Sequence, residues 1–298
     1  MEASMSTNPS AGSPGALEER LERGEVIYYP VCPFHLPEGE DRDFLLQQEL
    51  AGRAHKNISF NPRTEKVGGA LRQSRFQAER LQKLLAYFSR WVTDWLSRTL
   101  PRYARGWRLD QVSFRPVEEA TRQLRLTARN DLLHVDAFPS RPTNGHRILR
   151  VFANVNPREP RIWVTSDTFG KLLERYGEEV GLPAQGPGLL NQIQNRLVRL
   201  FRPGKPLRSP YDSFMLRFHN FLKANSEFQE KGSKRYWTFP PGSAWMVLTD
   251  VCTHAALRGR YALEHSYFVA PEILALPEES PAALLQKACG VPVILKAA

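Results

Sequence analysis

The chain has 298 residues, with 41 Lys and Arg against 31 Asp and Glu, a formal charge of +10 and 42% hydrophobic residues. That length suits one large domain with a substantial core, and no apolar run approaches the length needed to span a bilayer. The positive charge favours anionic partners, but the arginines are dispersed and no Lys/Arg block or zinc-finger spacing marks a nucleic-acid module.

Residues 1 to about 15, rich in Ser, Gly, Pro and Ala, read as disordered. The N-terminus lacks the basic start and apolar core of a secretory signal, so a cytosolic address is expected. Residues 16–24 are charged enough for a short helix, which makes 1–24 a disordered or short-helix tail and 25–298 the domain. From Phe76 to Leu100, Leu81, Leu84, Leu85, Phe88, Trp91, Trp95 and Leu96 recur at three- and four-residue spacing, which predicts a core-facing amphipathic helix ended by Pro101. Short strands are expected from Trp107 to Val155, with alternation in Gln123–Thr127, and another at Ile162–Thr165. Residues 166–234 read as a helical insertion, with helices at 168–177, 189–201 and 211–230 separated by Pro/Gly punctuation. Strands resume at 235–239, 243–248 and 260–269, and residues 281–289 form a last helix. Strands on both sides of a helical insertion imply one mainly β domain, a double-stranded β-helix (jelly-roll, cupin-like) core with N-terminal helices. Cys32, Cys252 and Cys289 are odd in number and far apart, which suits a reducing compartment rather than a disulfide framework.

Two stretches carry the chemistry: Leu133-His-Val-Asp136-Ala-Phe138, and Leu248-Thr-Asp-Val-Cys-Thr-His254 after a Pro/Gly turn. On a strand, residues two apart share a face, so His134 and Asp136 present an imidazole and a carboxylate together. His254 completes two histidines and one carboxylate, the facial set of non-haem iron(II) oxygenases. On the strand Arg147–Val155, Leu149, Val151, Ala153 and Val155 form an apolar face, while Arg150, Phe152 and Asn154 have the mixed polarity of a pocket wall. Arg150 is therefore the leading carboxylate anchor, because a guanidinium matches two carboxylate oxygens. Arg115, Arg147, Arg258 and Arg260 are alternatives. Asp250 suits a turn or supporting role, His265 a pocket or core position, His146 and His219 loop and helix positions, and Cys252 burial without a catalytic base.

The run from Leu133 to Thr143, the strand Arg147–Pro157, Asp250-Val-Cys-Thr-His254-Ala and Tyr261-Ala-Leu-Glu264 together resemble the bacterial Kdo hydroxylases. The resemblance extends over most of the chain beyond the tail. It implies an Fe(II)- and 2-oxoglutarate-dependent dioxygenase, using O2, that hydroxylates the 3-position of 3-deoxy-D-manno-octulosonic acid (Kdo) in Kdo-lipid A of lipopolysaccharide. His134, Asp136 and His254 would be the metal ligands, and the partner an anionic lipid reached by peripheral contact with the cytoplasmic face of the inner membrane. The competing expectations are an oxygenase of the same kind acting on another small molecule or a protein side chain, and a non-catalytic jelly-roll binder of anionic glycans.

Overall fold

A computed structural model describes residues 14–52, 55–182 and 207–295. Ten strands form two antiparallel sheets. The larger has the order β1-β8-β5-β10-β4-β2-β3, and the smaller the order β7-β6-β9. These strands are β1 (Ile27–Tyr29), β2 (Ile58–Asn61), β3 (Lys66–Gly68), β4 (Trp107–Arg115), β5 (Arg147–Asn154), β6 (Arg161–Thr168), β7 (Arg235–Phe239), β8 (Ala244–Leu248), β9 (Cys252–Arg258) and β10 (Ala262–Val269). The crossed order and the two sheets make a jelly-roll-like core, as the strand pattern on either side of the helical stretch predicts.

The parity expected for β5 holds. Leu149, Val151, Ala153 and Val155 join the main core under the helices, and Phe152 packs between the sheets with Trp163, Trp245 and Phe239. Helix α1 (Arg75–Thr99) covers the outer face of the larger sheet. Its first turn is fixed by a capping box, in which Ser74 Oγ accepts from the Gln77 amide and Gln77 Oε1 accepts from the Ser74 amide. Leu81, Leu84, Leu85, Phe88, Val92 and Leu96 are buried along its inner stripe. Ser89 and Thr93 meet His265 and Tyr267 of β10 at 2.8 and 2.9 Å. His265 is thus a core residue of the outer layer.

Several boundaries differ from the sequence reading. The short helix expected at 16–24 is present as Pro14–Glu22, two residues earlier at each end, and it packs on the fold: Leu21 is buried and Glu22 accepts from the Tyr103 hydroxyl at 2.8 Å. Gln123–Thr127 is not a strand despite its alternation, because no neighbouring strand pairs with it; it leads into a 3-10 turn at Leu126–Ala128. Strand β6 continues to Thr168, so the helical stretch starts at α2 (Phe169–Val180). The expected helix 211–230 is two, α3 (Pro210–Ala224) and α4 (Ser226–Lys231). The break falls at Asn225, whose side chain caps α4 by accepting from the Phe228 amide at 2.9 Å. The helix expected at 189–201, with its flanking Pro/Gly stretches, lies outside the described residues.

Arg147 lies on the core parity of β5, fully buried, with its Nε 2.6 Å from Asp250 Oδ2 in the β8–β9 turn. It faces away from the cavity where an anchor would be needed. Asp250 lies in a turn, one of the roles expected of it, and its carboxylate is taken up by Arg147 and the Ile148 amide. Arg147→Ala strands a buried carboxylate and is expected to cost about 3–5 kcal/mol in chemical denaturation, with 2-oxoglutarate affinity unchanged in whatever fraction stays folded.

Candidate metal centre

His134 sits outside the named strands, in an extended segment that lies along β9. Its amide donates to His254 O at 3.1 Å, and the His254 amide donates back to His134 O at 2.9 Å. Two further bonds hold the segment on either side, Ala256 N to Asn130 O at 2.8 Å and Asp136 N to Thr249 O at 2.8 Å. The result is that His134, Asp136 and His254 are all buried, with donor atoms within 4.8 Å of one another.

Each imidazole is oriented by its far nitrogen. His134 Nδ1 is 2.6 Å from Leu132 O and His254 Nδ1 is 2.9 Å from Cys252 O, so both Nδ1 atoms carry the proton and donate. The Nε2 lone pairs are left for a metal. Burial pushes the pKa of His134 well below its ordinary value, assisted by the positive charge of Lys223, and burial lowers that of His254 too. Both are neutral near pH 7, the state a ligand needs. Burial by itself would raise the Asp136 carboxyl, but the Arg150 guanidinium, with Nε 2.9 Å from Oδ2, holds it well below the carboxylate range. Two neutral imidazole nitrogens and one ionised carboxylate fit a divalent first-row metal with open coordination positions.

Behind this triad runs a chain of alternating charge. Arg150 Nη1 donates to Glu264 Oε1 at 2.5 Å, and Glu264 Oε2 accepts from Arg115 Nε and Nη2 at 3.0 and 2.6 Å. Arg115 Nη1 lies 3.7 Å from Glu119, which also accepts from Arg161 Nη2 at 3.3 Å. Burial would raise Glu264, yet Arg150 and Arg115 bring it down to about 2. Arg150, Glu264, Arg115 and Arg161 line a cavity of about 480 Å³ that also contains the three candidate ligands. Its other wall is α3, where His219 packs edge-on to His134 at 4.9 Å and donates from Nδ1 toward Val135 O at 2.7 Å. Trp163 of β6 stacks on His254 at 5.3 Å.

The structure therefore brings together His134, Asp136, His254, Arg150 and Arg115. It places the other anchor candidates elsewhere. Asn154 is off the cavity, tying turns together by donating to Glu159 O and Phe239 O at 3.0 and 2.9 Å. Arg258 and Arg260 are exposed, and Arg260 lies over the Tyr261 ring at 4.6 Å beside a separate groove. Cys252 is buried, its thiol pushed up to about 12, and it contributes its carbonyl to His254 rather than a nucleophile. Glu264, Glu119, Arg161, Trp163, His219 and Lys223 line or support the site without having been singled out for it. Glu264 stands where the anchoring arginine of many 2-oxoglutarate enzymes would, ten residues after His254. Here it bridges two arginines instead.

Residues 5–292 match the family described as 3-deoxy-D-manno-oct-2-ulosonic acid (Kdo) hydroxylase. The chain belongs to the Kdo hydroxylase family. Among solved structures, it is similar to the Kdo hydroxylase KdoO, a non-haem Fe(II) α-ketoglutarate-dependent dioxygenase. Against KdoO with α-ketoglutarate and Fe(III), the TM-score is 0.84 with 31% identity over 98% of this chain and 96% of that one. Against KdoO with cobalt(II), it is 0.86 with 31% identity over 100% and 97%. Against KdoO with succinate and Fe(III), it is 0.83 with 31% identity over 100% and 97%. No curated protein sequence matches this chain.

In this Kdo hydroxylase family member, Glu264 is the only acid that bridges Arg150 and Arg115 among the described residues. Glu264→Gln leaves two buried cations short of a counter-charge and should cost about 3–5 kcal/mol in denaturant titrations near neutral pH. The sign with pH follows from its lowered folded-state pKa. Its stabilisation is complete above the ordinary carboxylate range and is lost as pH falls toward 2, so the gap between wild type and variant should narrow across that window.

Proposed function

We propose that the chain is an Fe(II)- and 2-oxoglutarate-dependent hydroxylase acting at the 3-position of Kdo in Kdo-lipid A. The observation that carries this reading is the buried triad with both Nε2 lone pairs free and Asp136 ionised. Iron(II) held there supplies activation of dioxygen, with 2-oxoglutarate as the co-reductant that is converted to succinate and carbon dioxide.

The chain's own residues have separate tasks. His134, Asp136 and His254 hold the metal, and Leu132 O and Cys252 O fix their imidazole tautomers. Arg150 keeps Asp136 charged and aimed at the metal. Arg150, Arg161 and Trp163 line this cavity, and among their polar atoms Arg161 Nε and Trp163 Nε1 are buried without a hydrogen-bond partner. They are the donors available to the carboxylates of 2-oxoglutarate. Arg150 thus remains the anchor on the metal side, and Arg161 with Trp163 joins it from the smaller sheet. The formal charge of +10 suits a phosphorylated and carboxylated lipid. No helix among the described residues is long and apolar enough to cross a membrane, so contact with the cytoplasmic face of the inner membrane would be peripheral.

An anaerobic titration of apoprotein with Fe(II) and 2-oxoglutarate should develop a visible metal-to-ligand charge-transfer band, absent in His134→Ala and His254→Ala. A folded wild type that develops no band would sink the oxygenase reading. Succinate formation with Kdo-lipid A, but not with unrelated small molecules or peptides, separates the proposed substrate from other oxygenase substrates. Arg161→Ala is expected to raise the 2-oxoglutarate concentration for half-saturation at least about tenfold with Co(II) affinity unchanged. Arg150→Ala should weaken both, because Arg150 also touches Asp136.

A further inference from the structure

The charges beside the triad are balanced, since Asp136, Glu264 and Glu119 alternate with Arg150, Arg115 and Arg161. On the helical side of the cavity the balance fails. Lys223 of α3 is only 3% exposed, yet its Nζ has a single hydrogen-bond partner, the Thr127 carbonyl at 3.2 Å, and no carboxylate in ion-pair contact among the described residues. Lys56, just before β2, lines the same cavity, and its side chain makes no hydrogen bond or ion pair among the described residues. Burial first, and then Lys56, brings Lys223 down to about 8, and burial first, and then Arg115, brings Lys56 to about 8. Asp136, Asp131 and Glu119 act on them only from beyond ion-pair contact, so an anion entering the cavity would meet two ammonium groups that no carboxylate among the described residues pairs directly.

The position of Lys223 narrows what that anion is. It lines the cavity one helical turn beyond His219, whose ring lies 4.9 Å from that of the metal ligand His134. An anion held by Lys223 is therefore beside the reacting centre. A 3-deoxy-2-ulosonic acid carries its carboxylate on C2, next to the deoxy carbon C3, so presenting C3 to the metal brings the carboxylate into the same neighbourhood. We propose that Lys223, with Lys56 as its partner from the sheet wall, receives the carboxylate of the reacting sugar acid and so sets which carbon faces the metal. This assignment rests on the functional reading above. It divides the cavity into an arginine and tryptophan set for the cosubstrate and a lysine pair for the substrate.

The test is direct binding to Co(II)-loaded, 2-oxoglutarate-bound protein, read by calorimetry and the cobalt absorption spectrum. The ligands are Kdo-lipid A in detergent micelles and the same lipid with its sugar carboxylates converted to methyl esters. Wild type should bind the acid about ten- to a hundredfold tighter than the ester. Lys223→Met, close in length but neutral, should bind both alike at the ester's affinity, with the Fe(II)/2-oxoglutarate charge-transfer titration unchanged. Lys223→Arg should restore much of the preference. A thermal melt of Lys223→Met at or above the wild-type midpoint shows that the loss is not unfolding. A Lys223→Met protein that keeps the full preference overturns the assignment, as does one that loses 2-oxoglutarate binding, which would give the lysine to the cosubstrate. Wild type that hydroxylates Kdo-lipid A but binds acid and ester alike overturns the assignment alone, whereas wild type that neither binds nor hydroxylates it removes the functional reading as well.

Discussion

The pair of backbone hydrogen bonds between His134 and His254 is the constraint on which the centre depends. It joins two residues 120 positions apart by the exchange of amide and carbonyl that fixes directly opposite residues in an antiparallel ladder. Opposed residues put their side chains on the same face, so this one bridge sets both imidazoles toward the same point. The Asp136 amide, bonded to Thr249 O, then holds the carboxylate two residues along on that same side. Because the bridge uses backbone groups, it frees all three side chains for a metal.

Keeping three charged or polar ligands buried has a cost that the alternating network offsets. Asp136, Arg150, Glu264, Arg115, Glu119 and Arg161 each meet an opposite charge, so no member is left with an uncompensated charge in the low-dielectric interior. The network crosses from β5 through β10 and β4 to β6, and so couples the two sheets beside the cavity. Its members are also what shapes the field in the cavity: Asp136 stays ionised, while burial keeps the histidines neutral.

The helical stretch after β6 contributes chemistry as well as cover. Helix α3 brings His219 against His134 and Lys223 to the cavity wall, and its start is fixed by Asp212, which accepts from the amides of Ser209, Thr143 and Asn144. The loop after Asp136 is thereby tied to the same helix. A rigid connection of this kind keeps the outer wall in register with the metal ligands.

The sequence by itself determined the His134 and Asp136 pair, the apolar face of β5 and the long helix after Ser74, because each depends on local spacing: two residues along an extended segment, alternation along a strand, three and four along a helix. Its longer motifs carried the resemblance to the family. Its extended segments could not say which strand would find a partner, so the alternation at Gln123–Thr127 suggested a strand that the sheets do not include. Nor could they say which arginine faces the cavity beyond parity within one strand. Arg150 and Arg115 meet only because β10 lies between β5 and β4 and places Glu264 between them. Arg161, Trp163, His219 and Lys223 reach the site through pairings and helix packing across scores of residues, and Asn154, with the right parity, was diverted to the turns at the end of its strand. Local periodicity fixes the direction of a side chain relative to its own backbone, whereas register and packing between distant elements fix what that side chain meets.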